Sequence, residues 1–214
     1  MSVLINYSAI LLQGTLITLG AWLVAGVASL ILGLSLGILS SDLCGGRNLK
    51  RLIKIYTFVA KGIPAYVQIL IAYYVIPACL GISVSAFMCA SFALIFCSTG
   101  YITEMIRGAV NAVPRGQWEA AQVLGYSSAQ SIRYIVVPQA LKIIFPALCG
   151  EGEQLLKTTS LLATIGIAEL THTAGNIISR ELNPISVYVL VAAIYLLFSA
   201  FILWGAGRLE RRFL

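Results

Sequence analysis

Residues 9–41 are the stretch that decides the fold, and they contain no charged side chain: AILLQGTLITLGAWLVAGVASLILGLSLGILSS. A helix needs about 20 consecutive apolar residues to cross the hydrocarbon of a bilayer, and this stretch is longer than that. No basic residue precedes it, so it lacks the charged leader and short apolar core of a cleaved signal peptide. The stretch therefore predicts a permanent membrane-spanning helix.

The composition of the chain supports a membrane protein. Of 214 residues, 59% are hydrophobic and 10% are charged, against about 25% charged in a soluble domain. Gly62 and Pro64 predict a break or kink in the second span, 55–77. Ser29, Gly33 and Gly37 predict a helix-packing face in the first span, 9–41. The sequence thus predicts an all-α integral membrane protein with five transmembrane helices in a single domain, 1–214. The four further spans are 55–77, 82–103, 143–168 and 185–207.

Basic residues are unevenly distributed among the loops. Eleven lie in the linker after the first span, the loop 107–142 and the C-terminal tail, whereas Arg180 is alone in the loop after the fourth span. Because Lys and Arg concentrate on the cytoplasmic side, we expect the N-terminus outside and the C-terminus inside. This distribution explains the net charge of +6 without a basic patch, so nucleic-acid binding is not expected.

Residues that build metal or catalytic sites are sparse. The five cysteines are odd in number, no CxxC or HExxH spacing occurs, and His172 is the single histidine, which we expect in a surface loop. The sequence also shows no nucleophile, base and orienter set and no GxxxxGK[ST] phosphate loop. We therefore expect no disulfide framework, no metal site and no enzyme.

The loop 107–142 is long for a connection inside a compact bundle, so we expect it to be structured. Pro114 precedes RGQWEAAQVLG, which is rich in helix formers and ends at Gly125. Ser127 and Gln130 have capping-box spacing, so a second short helix should start there and end before Pro138. Two short helices on the cytoplasmic face would form a surface that another subunit can contact.

These motifs resemble those of bacterial ABC-importer permeases. The loop matches the pattern EAA, three residues, G, nine residues, I-x-L-P, with Val137 in place of the leucine. The similarity extends over most of the chain and is greatest to permeases for histidine, glutamine and arginine. The matching segments are Glu119-Ala120-Ala121, Gly125, Ile135 and Pro138 in the loop, Lys61-Gly62-Ile63-Pro64 with Gln68, Gly100-Tyr101 with Glu104, Gly116-Gln117-Trp118, Leu156-Lys157-Thr158-Thr159-Ser160-Leu161, and Arg208-Leu209-Glu210-Arg211-Arg212.

The resemblance implies the permease subunit of an ABC importer for polar amino acids, located in the bacterial inner membrane. Implied partners are two cytoplasmic ATPase subunits, which would bind ATP and Mg²⁺, a second permease copy or a sister permease, and an extracytoplasmic binding protein. No cofactor is implied in this chain itself. The short helix that carries Glu119 would be the coupling helix and would lie in a groove of the ATPase. Ala120 and Ala121 would allow close approach, and Gly125 would end the helix. An ABC permease for another small solute and an ion-coupled secondary amino-acid transporter remain alternatives.

Three charged residues fall within the predicted fourth span. Glu153 and Lys157 are four residues apart with the acid first, which favours an ion pair within the helix. Glu151 is two positions from Glu153, about 200° around an ideal helix, and has no such partner. Since a charge inside a bilayer must face a partner or a cavity, Glu151 is the first candidate for contact with a substrate ammonium group. Gln154 and Thr158 lie on its helical face and could add hydrogen bonds.

A second arrangement of these acids is also open. Gly150 and Gly152 could unwind the helix locally and turn Glu151 and Glu153 into one cavity, which would favour arginine, lysine or histidine as substrate. Both acids could instead be structural or neutral. Glu153 is therefore a candidate substrate residue together with Glu151, Gln154 and Thr158. Four weaker candidates follow from the family motifs: Lys61, Gln68, Tyr101 and Glu104.

Overall fold

The computed structural model describes residues 2–213, with the side chains of residues 7–211. The side chain of Arg212, which the charge count includes in the tail, lies outside this range. The described chain forms helices, with no strand between residues 2 and 213. In chain order they are α1 (Ser2–Ser40), α2 (Arg47–Gly62), α3 (Ala65–Leu70), a π segment (Ile71–Val75), α4 (Ile76–Leu80), α5 (Ala86–Ala112), α6 (Arg115–Val123), α7 (Ser128–Ser131), a second π segment (Ile132–Val136), α8 (Val137–Thr158), a 3-10 segment (Thr159–Ile165), α9 (Leu170–Glu181) and α10 (Pro184–Phe213).

Several of these helices are long and apolar enough to cross a membrane. Four of the described helical runs are long and apolar enough to cross singly, and the count is five when the bent pair Arg47–Gly62 and Ala65–Leu80 is taken as one span. This architecture confirms the predicted all-α membrane class. The four single runs are Tyr7–Ser40, Ala86–Ala112, Ser128–Ile165 and Pro184–Arg211.

The second span is broken where the sequence predicts it. The two helices on either side of Ile63 and Pro64 differ in direction by 102°, because proline lacks an N–H and its ring excludes a continuous helix. The Gln68 amide nitrogen donates to the carbonyl oxygens of Ala60 and Ile63, each at 2.7 Å. These bonds satisfy carbonyl groups left without partners at the end of α2. A buried side chain therefore holds the break in place.

The fourth span begins at Ser128 rather than at residue 143, and the expected second short helix is its first part. The prediction that this helix ends before Pro138 was wrong, since α7, the π segment and α8 follow one another without interruption. The wider π turn just before Pro138 accommodates the missing N–H and the proline ring. The same arrangement occurs before Pro77, where the sequence IAYYVIP parallels IRYIVVP.

The predicted face of small residues in α1 is confirmed as a packing surface, and its partner is α5. A Cβ atom added to Gly33 would lie 2.5 Å from Ile102 Cγ2, and one added to Gly37 would lie 2.6 Å from Ile106 Cβ. Ser29, one helical turn earlier, is fully buried. The close approach of the two helices therefore requires glycine at both positions.

The segment between the fourth and fifth spans contains the helix α9. Glu169 caps its N-terminus, accepting hydrogen bonds from the N–H groups of Thr171 at 2.9 Å and His172 at 2.7 Å. Tyr195 on α10 donates to the same buried carboxylate at 3.2 Å. His172 is half-buried in α9 with Nδ1 3.3 Å from the Ala163 carbonyl oxygen. The expectation of a surface-loop histidine was therefore wrong.

Candidate functional site

A cavity of about 430 Å³ lies where the break in the second span meets α5 and α8, and this volume suits a small molecule. Residues 61–65 at the break form one wall. The other walls come from two helices that are distant in sequence. They are formed by Leu94, Cys97, Ser98 and Tyr101 of α5 and by Glu151, Gln154, Leu155 and Thr158 of α8.

Glu151 carries the negative charge of this cavity. The Ser98 hydroxyl donates a hydrogen bond to Glu151 Oε1 at 2.8 Å, which fixes the carboxylate at the cavity wall. Gln154 and Thr158 line the same cavity, as expected for residues three and seven positions further along a helix. The face predicted from the sequence is therefore the face that borders the cavity.

Glu153 lies apart from this cavity. Its Oε1 atom is 2.6 Å from Lys157 Nζ, which confirms the ion pair predicted from their spacing, and it is not among the described residues that line the cavity. Local unwinding at Gly150 and Gly152 was a wrong hypothesis, because both glycines lie inside regular α-helix. The Trp22 indole N–H additionally donates to the Gly152 carbonyl at 2.7 Å. The two acids consequently do not share one cavity.

Two of the weaker candidates, Lys61 and Tyr101, line the cavity. Lys61 Nζ lies 5.7 Å from the centre of the Tyr101 ring, within the range of a cation–π contact. Gln68 instead holds the helix break, and Glu104 is ion-paired to Arg107 at 2.7 Å. The cavity therefore presents one base, Lys61, and one acid, Glu151.

Sequence reasoning missed Ser98, the residue that fixes the Glu151 carboxylate. Ser98 precedes Tyr101 by three positions, which places the two side chains on one face of a helix. The position of Ser98, about one helical turn before the Gly100-Tyr101 motif, could therefore have identified it as a site residue. What the sequence could not supply is the approach of α5 to α8 that brings Ser98 within 2.8 Å of Glu151.

The helix α6 lies away from the cavity, and one of its faces packs against the rest of the chain. Ala121 is 1% exposed, and Trp118 packs against a buried apolar cluster that includes Val110, Val113 and Val136. Ala121 therefore makes its close approach to its own chain.

The opposite face of α6 is open. Glu119 and Ala120 are exposed, and so are two large apolar side chains that follow them, Val123 at 88% and Leu124 at 75%. Exposed apolar side chains beside a charged residue on a short, fixed helix are typical of a protein-docking surface. Val123 and Leu124 were not predicted from the sequence as part of this surface.

The ends of this short helical region agree with the sequence-based predictions. Gly125 has φ 84°, and the Tyr126 N–H donates to the Ala121 carbonyl at 3.1 Å, which is the Schellman termination expected of a glycine at this position. Ser127 and Gln130 form the predicted capping box, with hydrogen bonds of 3.3 and 2.8 Å. The direction in which the chain leaves α6 is thus fixed by local bonds.

Residues 29–214 match the protein family described as the inner membrane component of binding-protein-dependent transport systems. The chain belongs to this family. This inner membrane component is 30% identical to the arginine ABC transporter permease protein ArtQ of Haemophilus influenzae, over 97% of this chain and 95% of the relative. It is also 30% identical to the glutamine transport system permease protein GlnP of Escherichia coli, over 95% and 92% of the two chains.

Solved structures agree with this assignment. The inner membrane component superimposes on the crystal structure of an amino acid ABC transporter with histidines with a TM-score of 0.88 and 31% identity, covering 98% of this chain and 96% of that one. The methionine ABC transporter MetNI, in an inward-facing conformation, gives a TM-score of 0.84 at 20% identity over 98% of each chain, which shows the shared fold. The family resemblance seen in the sequence motifs is confirmed.

Proposed function

We propose that this chain is the permease subunit of an ATP-driven importer for polar amino acids. The observation that carries the proposal is Glu151, a carboxylate fixed by Ser98 on the wall of a cavity between membrane-spanning helices. The free amino acid is a zwitterion, and a cavity with one acid and one base matches it: Glu151 attracts the α-ammonium group and Lys61 the α-carboxylate. Gln154 and Thr158 add hydrogen-bonding groups for a polar side chain.

The substrate class is also supported by the relatives. ArtQ and GlnP carry the names of an arginine and a glutamine transporter, so polar amino acids are the class they share. The argument for an exclusively basic substrate required Glu151 and Glu153 in one cavity, and Glu153 is paired with Lys157 instead. We therefore assign Glu151 to the α-ammonium group, which every amino acid has.

The coupling surface follows from the open face of α6. We assign ATPase docking to Glu119, Ala120, Val123 and Leu124, while Ala121 and Gly125 fix the helix to its own chain. A cytoplasmic ATPase subunit would bind ATP and Mg²⁺ and move this helix, and the movement would alternate access to the cavity between the two sides of the membrane. A second permease copy or a sister permease and an extracytoplasmic binding protein complete the proposed assembly.

The basic residues support the proposed orientation. Arg115 on α6 and Arg208 near the end of α10 belong to the basic groups that mark the cytoplasmic side. The N-terminus would then be outside and the C-terminus inside, with α6 facing the cytoplasm. This is the side on which an ATPase must bind.

Reconstitution tests the proposal. The chain is placed in liposomes with the ATPase and binding protein encoded beside its gene, and ATP hydrolysis and uptake are measured for the twenty amino acids. We expect a polar amino acid to stimulate hydrolysis, and uptake to continue after ionophores collapse the ion gradients. Uptake that requires an ion gradient and no ATPase would instead identify a secondary transporter, and stimulation by a different solute alone would identify another class of ABC permease.

A further inference from the structure

Two further cavities continue from the Glu151 cavity along α2. The first, of about 340 Å³, shares Lys61 and Gly62 with the Glu151 cavity. The second, of about 210 Å³, shares Lys54 and Glu104 with the first. Because neighbouring cavities share wall residues, the three lie side by side along α2, in a series that starts at Glu151.

The wall that α2 contributes to this series is a stripe of three lysines and a threonine. Lys50, Lys54, Thr57 and Lys61 are separated by four, three and four residues, so they lie on one side of a helix within about 60°. Each of them lines at least one of the three cavities. We call these four residues the lysine stripe.

The series ends on the side that the basic residues mark as cytoplasmic. The 210 Å³ cavity is also lined by Ser40, the last residue of α1, and by Arg107, near the end of α5. These helix ends adjoin the linker and the loop with the highest content of Lys and Arg. The stripe therefore leads from the membrane-embedded Glu151 toward the cytoplasm.

The positive charge of the stripe is not cancelled by the nearby acid. Glu104 is ion-paired with Arg107 at 2.7 Å and accepts a hydrogen bond from Thr57 at 3.1 Å. Among the described side chains, Lys50 and Lys54 form no ion pair, since the two pairs found are Glu104 with Arg107 and Glu153 with Lys157. The walls of the two outer cavities consequently carry a net positive charge.

We propose that the lysine stripe is the release route for the carboxylate of the substrate on its way to the cytoplasm. A carboxylate leaving the Glu151 cavity passes Lys61, then Lys54, then Lys50. The rise of an α-helix separates these lysines by about 10 and 6 Å along α2, a distance comparable to the screening length at physiological salt. The carboxylate thus remains near a positive charge throughout its exit. This inference rests on the proposed function of amino-acid import.

A first test measures the charge of the route without any substrate. Phe58, which lines the 340 Å³ cavity and is 77% exposed, is replaced by cysteine, and inside-out vesicles are treated with an anionic or a cationic methanethiosulfonate reagent. Labelling is read from the mass of the peptide that contains the new cysteine. We expect the anionic reagent to react about tenfold faster, and Lys54→Gln to reduce this ratio several-fold.

Arg51→Gln is the matched control for the labelling test. Arg51 is an exposed cation on the same helix, and it is not among the described residues that line the three cavities. Its replacement should leave the ratio of the two labelling rates unchanged. Equal rates for the two reagents, or equal effects of the two substitutions, would overturn the proposed route.

A second test measures transport in the reconstituted assembly. We expect Lys54→Gln to lower the maximal rates of uptake and of substrate-stimulated ATP hydrolysis several-fold, because a slower release step slows the coupled cycle. The half-saturating concentration should not increase, because substrate entry does not use the stripe. Arg51→Gln should transport normally. Normal uptake by Lys54→Gln refutes the route, whereas absence of amino-acid uptake by the unaltered assembly refutes the proposed function itself.

Discussion

At the scale of single residues, the most informative contrast is between two acids of one helix. Glu151 and Glu153 are two positions apart, yet one is fixed by Ser98 at a cavity wall and the other is paired with Lys157. Helical geometry explains the difference, since two positions turn the side chain by about 200°. An ion pair within one helix neutralises itself, whereas a single carboxylate beside a cavity can still attract a cation.

The close contact of α1 with α5 gives a prediction about stability. Gly37→Ala would place a methyl group 2.6 Å from Ile106 Cβ, and such overpacking costs about 1–3 kcal/mol. We expect the apparent unfolding temperature in detergent, followed by intrinsic fluorescence, to fall by about 5 °C.

Gly20→Ala provides the control for this prediction, because no atom lies within 4 Å of a Cβ added at Gly20. Alanine is also the better helix former, so this variant should be as stable as the unaltered protein or more stable. If both substitutions changed the unfolding temperature equally, the packing explanation would be wrong.

Local sequence patterns predicted the residue-scale features that depend on one helix. The pair Glu153–Lys157 and the shared face of Glu151, Gln154 and Thr158 follow from helical periodicity alone. Glu169 was missed because glutamate is not among the preferred N-cap residues and because its further contact comes from Tyr195 of another helix, which donates to its carboxylate at 3.2 Å. The sequence carries no short-range signal for such a contact.

At the scale of helices, two prolines act in different ways. Pro64 ends one helix and turns the chain by 102°, whereas Pro138 lies inside a continuous helical run, two residues after the end of a π segment. The π turn explains why the prediction of a separate second helix before Pro138 was wrong. A proline marks a discontinuity in a helix, but the packing around it decides between a break and a widened turn.

The open face of α6 gives a prediction about coupling. Glu119→Arg reverses an exposed charge on the surface that we assign to the ATPase, so we expect uptake and substrate-stimulated ATP hydrolysis to fall at least about tenfold. The amount of protein in the membrane should not change. Uptake and ATP hydrolysis are measured in proteoliposomes that contain the complete assembly.

Asn48→Arg is the control for added positive charge on the cytoplasmic side. Asn48 is exposed near the start of α2, outside the docking surface that we assign to α6. We expect its replacement to leave coupling nearly unchanged. Full activity of Glu119→Arg would remove this residue from the coupling surface.

At the scale of the whole molecule, hydropathy predicted the membrane-spanning helices and their order, because the requirement to span a bilayer acts on long segments. The cavity could be predicted only in part. Its acid was identified from one helix, but its walls come from the break after α2, from α5 and from α8. How these elements come together depends on packing between segments that are distant in the sequence, and the sequence of one segment does not predict that packing.

The same arrangement separates the two proposed activities in space. The cavity that we assign to the substrate lies between α2, α5 and α8, while the proposed ATPase surface is on α6. The chain runs from the end of α6 directly into the long fourth span, Ser128–Ile165, which carries Glu151. A movement of α6 can therefore reach the cavity through one helical run, which is consistent with a permease driven by a separate ATPase.

The central claim is that Glu151 binds the substrate, and its most direct test is uptake by Glu151→Gln. Loss of a charge-assisted hydrogen bond costs about 1.5–3 kcal/mol, so we expect the apparent affinity for the amino acid to fall by about 10- to 100-fold with normal membrane insertion. The double variant Glu153→Gln/Lys157→Gln, which removes a complete ion pair outside the cavity, should keep nearly normal affinity. Unchanged uptake by Glu151→Gln, or an equal loss in the double variant, would contradict the claim.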